Sequence, residues 1–453
     1  MHDFFTTKIL TLIWFIVVPL IIYVRWRRGV TGSGLILTML MELCVYYGLG
    51  GLIYSLPLDF PLFYEQYVGS EIIQIGFQQA TLALVALGLG CTVVSFFVLK
   101  MIRFSDSSPS QDHPTEQRLA YIYILVGLVS YIFLILIARK IPTASAFSGA
   151  GWRLCTVGVC LLLWHSWQTK KFRLFLFWLS LWSVSLPLLT IVVQGFLGYG
   201  ATIVISILAF CASFIRPRWK ILLAAVVIFY LGFSFYVTYM RDRSMIREAV
   251  WGGASLGGRT SAVGRITQDF EWLDFGNERH LASIDERLNQ NFLVGMGVEY
   301  LGSGLAPYAH GQTLVEALLS LIPRILWPSK TIFAGSGNIV ADYTGLTFGE
   351  DTSVGVGPVL ELYINFSSWG IFFGFLLLGT LLGVMDSMAG HAIRKGNGHL
   401  FAYFYLPGLS LVEMGGSFVE VVSSTAAGLV LIYIINRYFF RRLKRRASLA
   451  TAR

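Results

Sequence analysis

Residues 9–28 read ILTLIWFIVVPLIIYVRWRR, an uncharged run from Ile9 to Val24 closed by Arg25, Arg27 and Arg28. A run of this kind crosses hydrocarbon as a helix, because a single helix satisfies its own backbone hydrogen bonds in lipid. No small-residue cleavage site follows it, so it reads as a retained span and not as a leader. Comparable runs recur along most of the chain. Of its 453 residues, 55% are hydrophobic and only 13% charged, about half the charged share of soluble proteins. A fold in water has no means of covering such a core.

Eleven candidate spans follow, at about 8–24, 33–55, 72–99, 119–138, 149–166, 174–194, 200–215, 220–240, 369–388, 398–414 and 420–439. With the N-terminus outside, alternation places Arg25/Arg27/Arg28, Lys100/Arg103, Lys170/Lys171/Arg173, Arg216/Arg218/Lys220, Arg394/Lys395 and Arg437 through Arg446 on the cytoplasmic side. Only Arg139 and Lys140 dissent among the short loops. That sorting is the positive-inside pattern, and a missed span would swap every later cluster. The expectation is an all-α integral membrane protein with about 11 transmembrane helices and a cytoplasmic C-terminus. It divides into a bundle at 1–240, a long extracytoplasmic loop at 241–368, C-terminal spans at 369–440 and a basic tail at 441–453.

The loop holds 14 of the 25 acidic residues and nine of the 34 basic ones. Its length and its mixture of charges, aromatics and glycines predict short helices. Leu314–Ile325 has the pattern of an amphipathic helix, either dipping towards the bilayer or packing as a lid on the bundle. The net charge of +9 is explained by the cytoplasmic clusters, so no nucleic acid is expected as a partner. Cys44, Cys91, Cys155, Cys160 and Cys211 fall in or near spans with no paired ligand spacing, which argues against a disulfide or metal framework. There is no Walker loop, HExxH, DxD or GxSxG motif, so no nucleotide, metal or other cofactor is expected.

Within the spans, Glu42 reads as a proton-relay or ion site, or as an acid paired with a nearby polar group. Glu413 and Glu420 lie near the outer ends of the last two spans. The densest signal lies in the second half of the loop, from Tyr308-Ala-His310-Gly311 through Ile322-Pro-Arg324-Ile-Leu-Trp327-Pro328-Ser-Lys330 to Gly335-Ser-Gly-Asn338. It continues through Glu350-Asp-Thr-Ser353 and Gly355-Val-Gly357-Pro358 to Glu361-Leu-Tyr363-Ile-Asn365-Phe366. Arg324 and Lys330 flank a stiff Trp-Pro unit and suit either a lipid pyrophosphate or membrane headgroups. Glu361, with Asp351 upstream, suits a general base or an acid at a helix N-terminus, and His310 a base or a loop hydrogen bond. Arg241, Arg243, Arg247, Arg259 and Arg265 form a sparse basic set, of which Arg243 and Arg265 are the expected phosphate ligands.

The block Ile322-Pro-Arg-Ile-Leu-Trp-Pro-Ser-Lys330, with Gly335-Ser-Gly-Asn338, Thr352-Ser353, Gly357-Pro358, Glu361-Leu-Tyr363-Ile-Asn365-Phe366 and Gly370, resembles the oligosaccharide repeat-unit polymerases of the Wzy type, which make O-antigens and exopolysaccharides. The likeness covers roughly residues 308–375. One departure is Ser367-Ser368 after Phe366, where a glycine is expected.

The resemblance implies a GT-C-like, metal-independent glycosyltransferase in the bacterial inner membrane, acting on undecaprenyl-pyrophosphate-linked oligosaccharides at its outer face. It implies Arg324, Lys330, Arg265 and Arg243 as pyrophosphate ligands, and Glu361, Asp351 or His310 as the base. Asn338, Trp327 and Tyr363 would then meet the sugars. Its partners would be membrane lipid, a flippase and a chain-length regulator. Alternatives are a ligase-like transferase, which shares the layout, and a flippase or transporter of lipid-linked oligosaccharides.

Overall fold

A computed structural model describes residues 4–30, 32–102, 113–136, 142–215, 219–322, 327, 336–347 and 354–440. Every regular element among them is helical. The chain order is α1 Phe4–Arg27, α2 Leu35–Ile53, α3 Ser70–Met101, α4 His113–Leu136, α5 Pro142–Gln168, α6 Phe172–Gln194, α7 Gly198–Phe214 and α8 Trp219–Trp251. Then come five short helices, α9 Leu256–Gln268, α10 Glu278–Leu288, α11 Asn291–Gly302, α12 Gln312–Leu319 and α13 Ser336–Thr344. The long α14 Gly357–Arg394 is followed by α15 Gly398–Leu411 and α16 Phe418–Ile435.

Among the described residues, seven helices are long and apolar enough to cross a membrane: α1, α2, α3, α6, α8, α14 and α16, the last counted to Tyr438. Their outward faces carry bare apolar side chains, such as Phe15, Leu20, Val226, Phe373 and Leu377. Water would penalise that surface and lipid does not. The chain is thus an all-α membrane protein. One apolar core gathers α1, α2, α3, α11 and the first part of α14, and a second gathers α4 through α7 with α15.

Two boundaries differ from the sequence expectation. The helix expected to end near 240 runs on to Trp251, since Ile246 and Val250 remain buried and keep one face docked. The helix expected to start at 369 is continuous in hydrogen bonding from Gly357, but it breaks at Phe366 (φ −142°, ψ 25°) and Ser367 (φ 56°, ψ −153°). At 38 residues an unbroken α14 would be about 57 Å long, far more than a bilayer needs. The break sets residues 357–365 apart as a fully buried half-helix.

At its other end α14 is fastened by Asp386. Its Oδ2 accepts from Arg25 Nη2 at 2.7 Å, and its Oδ1 accepts from Ser33 N, Ser33 Oγ and Leu35 N at 2.8, 2.9 and 2.9 Å. Leu35 is the first residue of α2, so Asp386 caps that helix across the bundle. Gly34 precedes it at φ 96°, where a Cβ would lie 2.6 Å from the Ala209 carbonyl oxygen.

The loop does not simply lie on the bundle: α11 is inserted between α3 and α14. Gly76 and Gly295 make this crossing, because a Cβ on either would come within 1.9 Å of the other helix's backbone. A π turn at Cys44–Gly48 interrupts α2, and the carbonyls of Tyr46 and Tyr47 accept from Gln290 N (2.9 Å) and Asn291 Nδ2 (2.8 Å). Of the amphipathic stretch, residues 314–319 belong to α12, which packs on α16 while Val315, Leu318, Leu321 and Ile322 stay exposed; residues 323–325 lie outside the described residues.

Asp386→Ala strands Arg25 in the interior, and breaking a buried pair in this way costs about 3–5 kcal/mol. The variant is expected to lose monodisperse behaviour in size exclusion after detergent extraction, and a wild-type profile would contradict the cap. Ser367→Gly relieves the cost, about 1–3 kcal/mol, of holding a serine in a backbone conformation essentially reserved for glycine. Allowing for glycine's greater flexibility, about 0.5–1 kcal/mol, thermal unfolding is expected at a higher temperature than in the wild type.

Candidate functional site

At the end of the bundle that carries residues 241–368, cationic side chains of α8 and α10 and acidic ones of α2 and the stretch after α15 lie within electrostatic range of two tyrosines, Tyr46 and Tyr236, a charged region termed the vestibule, with a cationic and an acidic side. The cationic wall comes from α8 and α10. Arg243, half-buried, makes no ion pair among the described residues and is close enough to Arg247 and Arg287 for the three guanidiniums to repel one another. Arg247 stacks on Phe196 (4.6 Å) and Trp251 (5.0 Å), and its Nε is buried without a hydrogen-bond partner. Among the described residues Arg287 is matched only by its neighbour Glu286 at 2.7 Å. Positive charge held this way, stiffened by ring stacking and short of counter-charge, suits a phosphate-bearing ligand.

Arg241 is spent otherwise. Its guanidinium binds Asp242 (2.8 Å) and Glu271 (2.7 Å), and Glu271 also takes Arg279 and His280. Partial burial pushes the Glu271 carboxyl up, but hydrogen bonds from Arg241, Arg279 and His280 outweigh it and hold the group at about 2. This network binds the 269–280 segment to α8. Arg259 donates to Ala254 O, and Arg265 is exposed against Met245 Sδ, so of the two arginines favoured from sequence only Arg243 joins the cationic wall.

The acidic wall lies deeper. Glu42 on α2 is 2% exposed. The Thr202 hydroxyl of α7 faces its carboxyl, while Oε1 has no hydrogen-bond partner. Past the end of α15, Glu413 pairs with Arg153 of α5, whose other nitrogen reaches Ser410 and Ser424. Tyr46, one turn above Glu42, stands within electrostatic range of Glu42, Glu413, Tyr236 and Tyr199, and Tyr236 in turn lies within range of Arg243 and Arg287. The two walls are therefore joined by tyrosines. Arg153, Arg287, Thr202 and Tyr46 escape a reading by motif, although an arginine inside an apolar run such as 150–164 demands a partner and was the available signal.

The segment 308–313 is clamped to the half-helix of α14. Ala309 N donates to Ile364 O (3.0 Å), Gly311 N to Asn365 Oδ1 (2.9 Å), and Asn365 Nδ2 to Thr313 Oγ1 and Glu361 O (both 2.7 Å). Glu361 is wholly buried. Its Oε2 accepts from Phe418 N at 2.7 Å, the first amide of α16, whereas Oε1 lacks a partner. Thr313 faces this carboxylate without reaching hydrogen-bond geometry at Oε1. Beside this clamp His310 is exposed at φ 46°, its ring 6.4 Å from that of Tyr308, which lies 6.2 Å from Tyr363. Asn338 and Trp327 are exposed, and no hydrogen bond or ring contact joins them to the buried Tyr363. Arg324, Lys330 and Asp351 lie outside the described residues.

Helical bundle and vestibule together define an all-α membrane protein with a charged region at its loop end. The model of a domain of unknown function, DUF8712, matches residues 63–439, and the chain belongs to that family. No curated protein and no solved structure matches it.

Glu271 stays ionised in the folded chain down to about 2 and takes its proton near 4.5 when unfolded. The stability it contributes is therefore full above the ordinary carboxylate range and is lost as pH falls from there towards 2. Hydrogen exchange across 269–288, taken relative to the intrinsic rate at each pH, is expected to speed up over that interval in the wild type. In Glu271→Gln it should be fast already at neutral pH, and an unchanged profile would remove the hub role.

Proposed function

We propose that this protein is a metal-independent glycosyltransferase of the bacterial plasma membrane that polymerises undecaprenyl-pyrophosphate-linked oligosaccharide repeat units. In this account eleven helices cross in a GT-C-like arrangement, the N-terminus and the loop 241–368 are extracytoplasmic, and the C-terminus is cytoplasmic. One observation supports it above the others. On α8, an apolar stretch exposed all round, including Leu223, Val226, Val227, Ile228 and Phe229, precedes Arg243 and Arg247, which have no carboxylate partner among the described residues. A polyprenyl pyrophosphate has the same layout, an apolar tail ending in a doubly phosphorylated head.

The acceptor hydroxyl attacks the anomeric carbon of the donor sugar, the bond from that carbon to the phosphate oxygen breaks, and the lipid pyrophosphate leaves with the electron pair. Arg243, Arg247 and Arg287 stabilise the charge growing on it, where preorganised cations act most strongly. Arg324 and Lys330 are further candidates for that role. The hydroxyl proton needs an acceptor, and of Glu361, Asp351 and His310 the imidazole is the one exposed to solvent in the described structure. Glu361 in its buried position orients α16 and is reached by substrate only if α12 lifts. Asn338, Trp327 and Tyr363 remain candidates for sugar contacts. A flippase and a chain-length regulator are the expected partners.

Purified protein in liposomes, supplied with a synthetic undecaprenyl-pyrophosphate-linked repeat unit, should extend it into a ladder resolved by gel electrophoresis. Arg243→Ala and Arg247→Ala are each expected to slow this by about 10²-fold, whereas Arg265→Ala leaves it nearly unchanged. Wild-type ladders from both wall variants would sink the proposal. A second reading, a flippase or transporter of the same lipid, draws on the broken α14, since interrupted helices line transport sites. It predicts movement of a labelled lipid across the vesicle with no new glycosidic bond.

A further inference from the structure

Glu42 is used by none of the chemistry above. It sits in the second turn of α2, seven residues from the end fastened by Asp386, well inside a helix apolar enough to cross a membrane. A carboxyl group there must be paired, bound to a cation, or carry a proton. Pairing is excluded by the neighbours, taken element by element. From α7 comes the hydroxyl of Thr202, with Tyr199 in range of Tyr46. Beyond α15, Glu413 is an acid already matched by Arg153. On α14, Asp386 is tied to Arg25, and Glu361 to Phe418 N. On α10, Asp285 is held by Asn289, Tyr64 N and Tyr54. The other charges on α1 and α3 lie near the helix ends, at Lys8, Arg25, Arg27, Glu71 and Lys100.

Cation binding has little to stand on. Among the described residues no three His, Cys, Asp or Glu side chains gather to hold a metal ion. What remains is a buried, half-unpartnered carboxyl beneath a π turn, the kind of helix irregularity that accompanies functional sites. Its electrostatic neighbours are Thr202, Glu413 and Tyr46, and Tyr46 is in range of Tyr236, which faces the cationic wall. The structure assigns Glu42 as a proton-binding site that exchanges with the vestibule through Thr202, Tyr46 and the groups around Glu413. A proton liberated or consumed in the vestibule then has an acceptor inside the bundle. This assignment stands whether or not the arginines bind a lipid pyrophosphate.

Dicyclohexylcarbodiimide adds across the O–H of a protonated buried carboxyl and stays attached as an N-acylurea, with nothing leaving. The full chain in lipid nanodiscs should acquire this mass on the peptide containing Glu42, at least about tenfold faster in acid than in alkaline buffer. Sodium at constant pH should change nothing, and the adduct should be absent from Glu42→Gln. Infrared difference spectra of wild type minus Glu42→Gln report the same group without a reagent and should contain the carbonyl stretch of a protonated carboxyl. Absence of that band overturns the proton site, whatever the labelling does. Protection by sodium with no dependence on pH assigns a metal cation instead and equally overturns it.

Discussion

Helix α14 carries a buried carboxylate near each end, and each accepts from the first amide of another helix. Glu361 takes the Phe418 amide of α16, and Asp386 takes the Leu35 amide of α2. Helix N-termini have unsatisfied N–H groups and a partial positive charge, so a carboxylate there is doubly favoured. In lipid no water competes for those amides, and an unmet one costs more than in a soluble protein. Two acids on one element thus fix the spacing of α2, α14 and α16. Arg25 extends the lower clasp to α1 and, through Cys91 O at 2.6 Å, to a π turn at Gly90–Val94 within α3.

The same logic explains why the vestibule is where it is. With the lower ends of α2 and α14 clasped, α2 reaches the loop end with its π turn intact, and the free carbonyls of Tyr46 and Tyr47 receive Gln290 and Asn291. That docks α10 and α11, and α10 brings Arg287 towards Arg243 and Arg247. Asp285 on the same helix is pushed above the ordinary carboxylate range by burial, with Asn289, Tyr64 N and Tyr54 offsetting part of it. One face of α10 therefore grips α2 and its connection while the other supplies charge to the cationic wall.

How far the sequence reveals this varies with the kind of signal. Apolar runs are a local property, and seven of them emerge as helices long enough to cross a membrane. The expectation of short helices in the loop rested on length and composition and matches α9 through α13. Charge pairing is not local. Arg25 appears as one of a cluster read for topology, yet its partner lies 361 positions away, and nothing at Asp386 announces it. Arg153 and Glu413 are 260 apart. Within the candidate site, Arg243 is legible as a basic residue at the end of a span, but Arg247 and Arg287 become its companions only through the packing of α10. Glu361 draws notice as an acid before a span, and its engagement with α16 depends on a contact across the bundle.

Ser367 ties local and distant constraints together. A glycine is expected after Phe366, and the backbone there has the geometry that favours one, at φ 56° and ψ −153°. A serine held in that geometry has to be over-determined by its surroundings. The surroundings supply this: Asn365 is bound on three sides by Gly311, Thr313 and the Glu361 carbonyl, and Ser368 Oγ donates to Gln79 Oε1 of α3 at 2.9 Å. The half-helix before the break is thereby fixed to α12 and α16, and the long segment after it to α3. Whatever the vestibule binds, a shift of α12 is transmitted first to Asn365 and Glu361, and the strained joint at 366–367 confines it to the loop end.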